Sequence, residues 1–287
     1  MFLLYLLKLP ESLRWLLANN RNHQAQQVLD RIAQFNKVPL TAHLLLDEEV
    51  EEETCEVRPA APPSMACLFT HPTLRLRFVI MALNWVVTTL GYYGLSLSSA
   101  ALGNDVFSSF ALAAAMEIPS YIFCMLSLDR VGRRGILAFS QILAGSTCVL
   151  AALLPLPDHL LYLKTLLVLV GKFGASAGFA VVFVYTAELF PTPMRNSAVG
   201  LCSTAARLGG ILAPFVASLA ATSPFLPFLV MGCGCCLGGL AALVLPETAG
   251  LPLPDTVEEA GRQGRNYAAN LKKAARDQLL LDKNAPS

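Results

Sequence analysis

Residues 196–218 read NSAVGLCSTAARLGGILAPFVAS, an apolar run with one charge, Arg207, near its centre. A helix of this length crosses the ~30 Å hydrocarbon core of a bilayer at 1.5 Å per residue. A guanidinium at that depth costs from ~3 kcal/mol on insertion scales to several times that in simulation. A chain that keeps such a charge generally uses it, often to hold an ion or substrate in a pathway. Glu117 and Lys172 stand at similar depth in two other apolar stretches. The pattern implies that the chain moves something across a membrane.

Composition agrees. Of 287 residues, 55% are hydrophobic and 14% charged, against about 25% charged in soluble domains. A net charge of +1 without a basic tract gives no reason to expect a nucleic-acid partner. The eight cysteines fall mostly in apolar spans and none in an expected outside loop, so no disulfide framework is implied. The Gly232-Cys233-Gly234-Cys235-Cys236 run has no nearby His and reads as small residues packing a helix, not as a metal site. No nucleophile, base and orienter constellation is visible, so the chain is not read as an enzyme, and no cofactor is expected.

Outward from 196–218, six apolar segments lie near 76–97, 106–128, 135–154, 160–186, 197–220 and 225–245. The fold expected is all-α, a six-helix transmembrane bundle over 73–246. Arg75 and Arg77 precede the first segment, Arg130, Arg133 and Arg134 separate the second from the third, and Arg195 separates the fourth from the fifth. The alternate loops carry only Lys164, so the positive-inside rule puts both ends in the cytoplasm. Gly174 with Gly178, and Gly234 with Gly238, are small-xxx-small pairs suited to close helix contact.

The flanks are polar. Residues 1–9, MFLLYLLKL, are too short to span and lack a signal peptide's basic start, so they read as the end of a preceding transmembrane helix. A cytoplasmic loop with short helices is expected over 10–72, one of them at 22–35 with apolar residues at helical spacing. An acidic run at 47–56 reads as a solvated link. In the cytoplasmic tail, 247–287, Thr256 and Glu259 form a capping box.

Four motifs carry a resemblance. Leu128-Asp129-Arg130-Val131-Gly132-Arg133-Arg134 is similar to the conserved loop of the major facilitator superfamily. Pro10-Glu11-Ser12-Leu13-Arg14-Trp15-Leu16, the run Tyr185 to Thr192 with Arg195-Asn196, and Leu245-Pro246-Glu247-Thr248 with Leu253-Pro254-Asp255-Thr256 resemble solute carrier family 22, the organic ion transporters. The match covers the second half of that pattern, from the end of the sixth helix through the twelfth. The resemblance implies a multi-pass protein of the plasma membrane, with a small organic ion as substrate. It implies as partner a missing N-terminal six-helix half or another copy.

The loop motif also has a direct reading. Asp129, Arg130, Arg133 and Arg134 can pair with acidic groups or helix C-termini on neighbouring helices and latch the cytoplasmic side; Glu188 and Arg195 are assigned to the same gating end. The plainer reading is that these arginines only fix topology.

For the buried charges, an ion pair between Glu117 and Lys172 would let both be buried and leave Arg207 for an anionic ligand. A guanidinium suits a carboxylate or sulfate through two parallel hydrogen bonds. The alternative for Arg207 is a helix-interface bond to backbone carbonyls. The family resemblance implies a basic residue at the position of Arg207 in carriers of anions or zwitterions and an acid there in cation carriers. The acid that cation carriers tend to have at the position of Ala180 is missing, whereas Glu117 resembles the cation and carnitine branches. Trp85, Tyr92, Tyr93, Tyr121 and Phe179 complete the candidate substrate site, with Asn84, Ser96 and Ser203 weaker. Gly91 and Gly94 bracket the tyrosine pair and are expected to loosen that helix. Lipid-facing or core packing is the plainer role for any one ring.

Two functions follow. The first is alternating-access transport of small organic ions, anions or zwitterions favoured, driven by gradients or exchange because no nucleotide-binding loop is present. The second is a non-transporting half-carrier that binds or regulates a partner in the membrane.

Overall fold

The computed structural model describes residues 11–18, 21–37, 67–100, 106–154 and 161–261. The expected helix end at 1–9, the acidic run and most of the tail lie outside the described residues. Two short helices, α1 (Leu13–Ala18) and α2 (Asn22–Asn36), open the described chain. A single turn, α3 (Cys67–Thr70), then leads into the bundle. Its helices are α4 (Pro72–Ala100), α5 (Val106–Ala115), α6 (Glu117–Val131), α7 (Arg133–Leu153), α8 (Leu161–Leu189), α9 (Arg195–Ser218) and α10 (Leu226–Ala242). No strand occurs among the described residues.

Five spans are long and apolar enough to cross a bilayer: in α4, across α5 and α6, in α7, in α8, and in α9 with the 3₁₀ turn Leu219–Ala221. The sixth expected segment is shorter. α10 has 17 residues, roughly 26 Å of helix. A further hydrogen-bonded turn through Leu243, Val244 and Leu245 extends it.

The expected single helix over 106–128 is interrupted at Met116. Pro119 is the cause. It has no N–H for the Ala115 carbonyl, and its ring crowds that carbonyl, so α5 stops there. Glu117 becomes the first residue of the second half-helix. The interruption expected in α4 at Gly91 and Gly94 does not occur, and that helix runs unbroken through both. These glycines instead let α10 approach: a Cβ on Gly91 would meet Cys235 Sγ at 2.8 Å, and one on Gly94 would meet Met231 Sδ at 2.2 Å.

Packing is close throughout. α4 touches α8, α9 and α10, while α7 packs on α8 and α10. A Cβ on Gly209 would lie 2.2 Å from the Val86 carbonyl oxygen, and one on Gly174 2.7 Å from that of Ser140. Backbones this near leave side chains little entropy to lose and gain dispersion contacts, the main source of helix association in lipid. Buried polar groups add directional links. Gln141 Nε2 donates to Thr88 Oγ1, joining α7 to α4, and Thr88 Oγ1 donates to the Asn84 carbonyl at 2.6 Å. Asn84 is therefore fully buried between helices and does not reach the cavity described below. At the far end the capping box forms, with Glu259 N–H donating to Thr256 Oγ1 and Thr256 N–H to Glu259 Oε2.

Candidate functional site

Arg207 lies at the middle of α9, and Lys172 and Glu117 lie well inside their spans. The structure separates these three charges into two neighbouring clusters. In the first, Lys172 Nζ is 3.0 Å from Glu117 Oε1. Lys172 also donates to Ser96 Oγ at 2.8 Å, and its ammonium stands 3.3 Å from the centre of the Tyr92 ring. Tyr92 O–H donates to Glu117 Oε1 at 2.5 Å, and the Tyr121 hydroxyl stands 3.5 Å from Glu117 Oε2. The lysine side chain is only 3% exposed. A cation so placed is tolerable because the carboxylate, a hydroxyl and a ring face replace its water. Glu117 is thus consumed by an internal partner.

The second cluster lines a cavity of about 470 Å³. Trp85, Tyr93 and Phe179 of the expected site line it together with Arg207 and Ser203, and so does Phe183. Arg207 is exposed and makes one long bond, 3.4 Å, to the carbonyl of Ser203 one turn earlier. No acid is among the lining residues. Trp85 is held by its Nε1–H, which donates to Thr186 Oγ1 at 2.9 Å, and packs edge-on to Phe183 at 4.3 Å.

Rings join the two clusters. Trp85 touches Phe183, which lies 5.7 Å from Phe179; Phe179 lies 5.2 Å from Tyr92, which lies 5.2 Å from Tyr93. An aromatic wall therefore runs from the open cavity to the ion pair. Its faces carry the negative end of the ring quadrupole, which attracts a cation, while the guanidinium across from it attracts a carboxylate. Among the polar lining residues, Thr89 is the one that the sequence did not single out. Its buried hydroxyl has no partner among the described residues. Only its polar type within an apolar helix hinted at it.

The loop motif forms a separate centre at the end of the bundle. Gly132 has φ +95°, a conformation open to glycine, and closes α6 while opening α7. Glu247 then caps α7, accepting from the N–H groups of Arg133 at 2.8 Å and Arg134 at 3.2 Å. It also accepts from the N–H of Thr248 at 3.0 Å and of Ala249 at 3.1 Å. A carboxylate at a helix N-terminus meets four donors and the positive end of the dipole. Arg133 reaches Asp129 at 3.1 Å, Glu188 at 3.0 Å and the Leu128 carbonyl at 3.3 Å. Thr248 Oγ1 donates to Glu188 at 2.7 Å. The pairing expected of three arginines is made by Arg133; Arg130 is exposed and Arg134 turns to another cavity. Arg195 is half-buried at the start of α9. Glu247 appeared in the sequence only as part of a motif, and its capping role depends on partners more than 100 residues away.

This bundle, with a charged clasp at one end and an aromatic cavity at mid-depth, has the fold of one six-helix half of a major facilitator superfamily protein. The crystal structure of the peptide transporter POT aligns with a TM-score of 0.51 at 16% identity, over 72% of this chain and 46% of that one. Residues 1–259 match the profile of the sugar (and other) transporter family, to which the chain belongs. It is 37% identical to the Drosophila melanogaster organic cation transporter-like protein, over 94% of this chain and 49% of the relative. It is also 37% identical to human organic cation/carnitine transporter 2, over 88% of this chain and 44% of the relative. The chain thus spans about half the length of the curated relatives it matches. It is a multi-pass integral membrane protein of a non-enzymatic transporter family, similar to the organic ion transporters of solute carrier family 22.

Proposed function

We propose that the chain forms one wall of an alternating-access pathway for small organic ions, completed by a second six-helix unit. The substrate we favour is a zwitterion bearing a carboxylate and an ammonium or quaternary amine. The observation that carries this reading is the division of charge. Glu117 is neutralised by Lys172, while Arg207 faces a ring-lined cavity without an acid. A carboxylate would pair with Arg207 through a forked contact, with the Thr89 and Ser203 hydroxyls near it. The cationic end would rest on Trp85, Tyr93 and Phe179. Relatives named for organic cations and for carnitine fit the cationic end of such a ligand.

The clasp of Glu247, Arg133 and Glu188 would hold one side shut and yield as the halves rock. The positive-inside rule supports a cytoplasmic position for the clasp and for both chain ends, and the resemblance supports the plasma membrane.

Uptake into cells expressing the chain tests the reading, with a labelled betaine, a tetraalkylammonium and an aryl carboxylate offered in turn. The betaine should enter fastest. Correct surface insertion without uptake of any of the three would favour the non-transporting half-carrier instead.

A further inference from the structure

At the clasp end, a second cavity of about 310 Å³ opens between the start of α4, the first turn of α7 and the chain leaving α10. Arg77 and Arg134 line it, with Leu76, Ile80, Val244 and Leu245. Arg77 is only 5% exposed. A cation so deep is costly unless something neutralises it. Its Nη1–H donates to the Ala260 carbonyl at 2.6 Å, and it has no ion pair among the described residues. The nearby carboxylates are engaged elsewhere, Glu247 by backbone N–H groups and Glu188 by Arg133 and Thr248. Arg134 is exposed, with its own N–H tied to Glu247 and its side chain at the cavity. Leu76 and Val244 are 55% and 66% exposed, Leu76 on a membrane-spanning helix and Val244 on the turn that closes α10.

We propose that this cavity holds the phosphate of an anionic membrane lipid, its oxygens between the two guanidinium groups and its acyl chains along Leu76, Ile80 and Val244. Guanidinium forks match phosphate oxygens. Basic pockets between transmembrane helices at the cytoplasmic face take such headgroups. A phosphatidylcholine headgroup fits less well, because its own cation would face two arginines. The apolar rim separates a lipid from soluble phosphate, which would leave Leu76 and Val244 uncovered.

The full chain, purified and delipidated in detergent, is titrated with dioleoylphosphatidylglycerol or dioleoylphosphatidylcholine, and retained lipid is read by native mass spectrometry. Phosphatidylglycerol should be retained in preference. Arg134→Ala should weaken retention about fivefold, the worth of one basic residue beside an anionic membrane surface, and Arg134→Glu should abolish it. Arg77→Gln should act the same way where it folds. Because Arg77 is buried, the exposed Arg134 variants carry the test, with helical content checked by circular dichroism. The adduct should survive excess inorganic phosphate. Equal retention of both lipids, unchanged retention in Arg134→Glu, or full displacement by phosphate would each overturn the proposal.

Discussion

Glu117→Gln isolates the energetics of the mid-membrane ion pair. The change keeps the shape and one carbonyl oxygen but leaves Lys172 without its counter-charge. Removing one partner of a buried pair costs about 3–5 kcal/mol. The side chains are 3% exposed for Lys172 and 23% for Glu117, so water reaches only the carboxylate side and the lower figure applies. The Tyr92 ring and Ser96 Oγ remain near the ammonium, and a desolvated cation–π contact of about 2 kcal/mol limits further loss. The expected cost is therefore about 3 kcal/mol. Glu117→Gln/Lys172→Met removes both charges and replaces the ammonium by a flexible apolar chain of similar length. It should cost about 1 kcal/mol, about 2 kcal/mol less than Glu117→Gln alone. Thermal unfolding of the three proteins in detergent, followed by size-exclusion chromatography, measures this. A double variant no more stable than Glu117→Gln would refute the reasoning, since the charge on Lys172 would then not be the source of the loss.

Three further outcomes are expected. Arg207→Ala should abolish betaine uptake with normal surface expression, and Arg207→Asp should shift preference towards the tetraalkylammonium; radiotracer uptake with surface biotinylation reads both. Glu247→Ala strands the first N–H groups of α7 and should lower stability by about 3 kcal/mol, measured by thermal unfolding. Gly132→Ala forces a Cβ to within 2.5 Å of the Glu247 carboxylate at a positive φ and should also cost about 3 kcal/mol, with Gly132→Ala/Glu247→Ala less than additive in the same assay.

The bundle was legible because lipid acts as a uniform solvent: every span must be apolar and about 20 residues long, and no tertiary contact overrides that. The sixth segment was legible as apolar, yet its helix is short because the chain turns at Leu243 towards the clasp. The break at Met116 had its signal in Pro119, whereas Gly91 and Gly94 suggested a break that close packing against α10 prevents. The pairing of Glu117 with Lys172 followed from charge balance, since two isolated buried charges are costlier than one pair. The aromatic wall did not follow. Phe183 and Thr89 enter through the angle at which α4, α8 and α9 meet, which no local pattern encodes. Glu247 was hidden for the same reason, because its donors lie across the fold.

Aqueous access to position 207 tests the account most directly. In a background lacking the eight native cysteines, Arg207→Cys is treated with a membrane-impermeant thiol reagent from each side. The account predicts modification from at least one side. A cysteine at 207 that stays unreactive from both sides would contradict it.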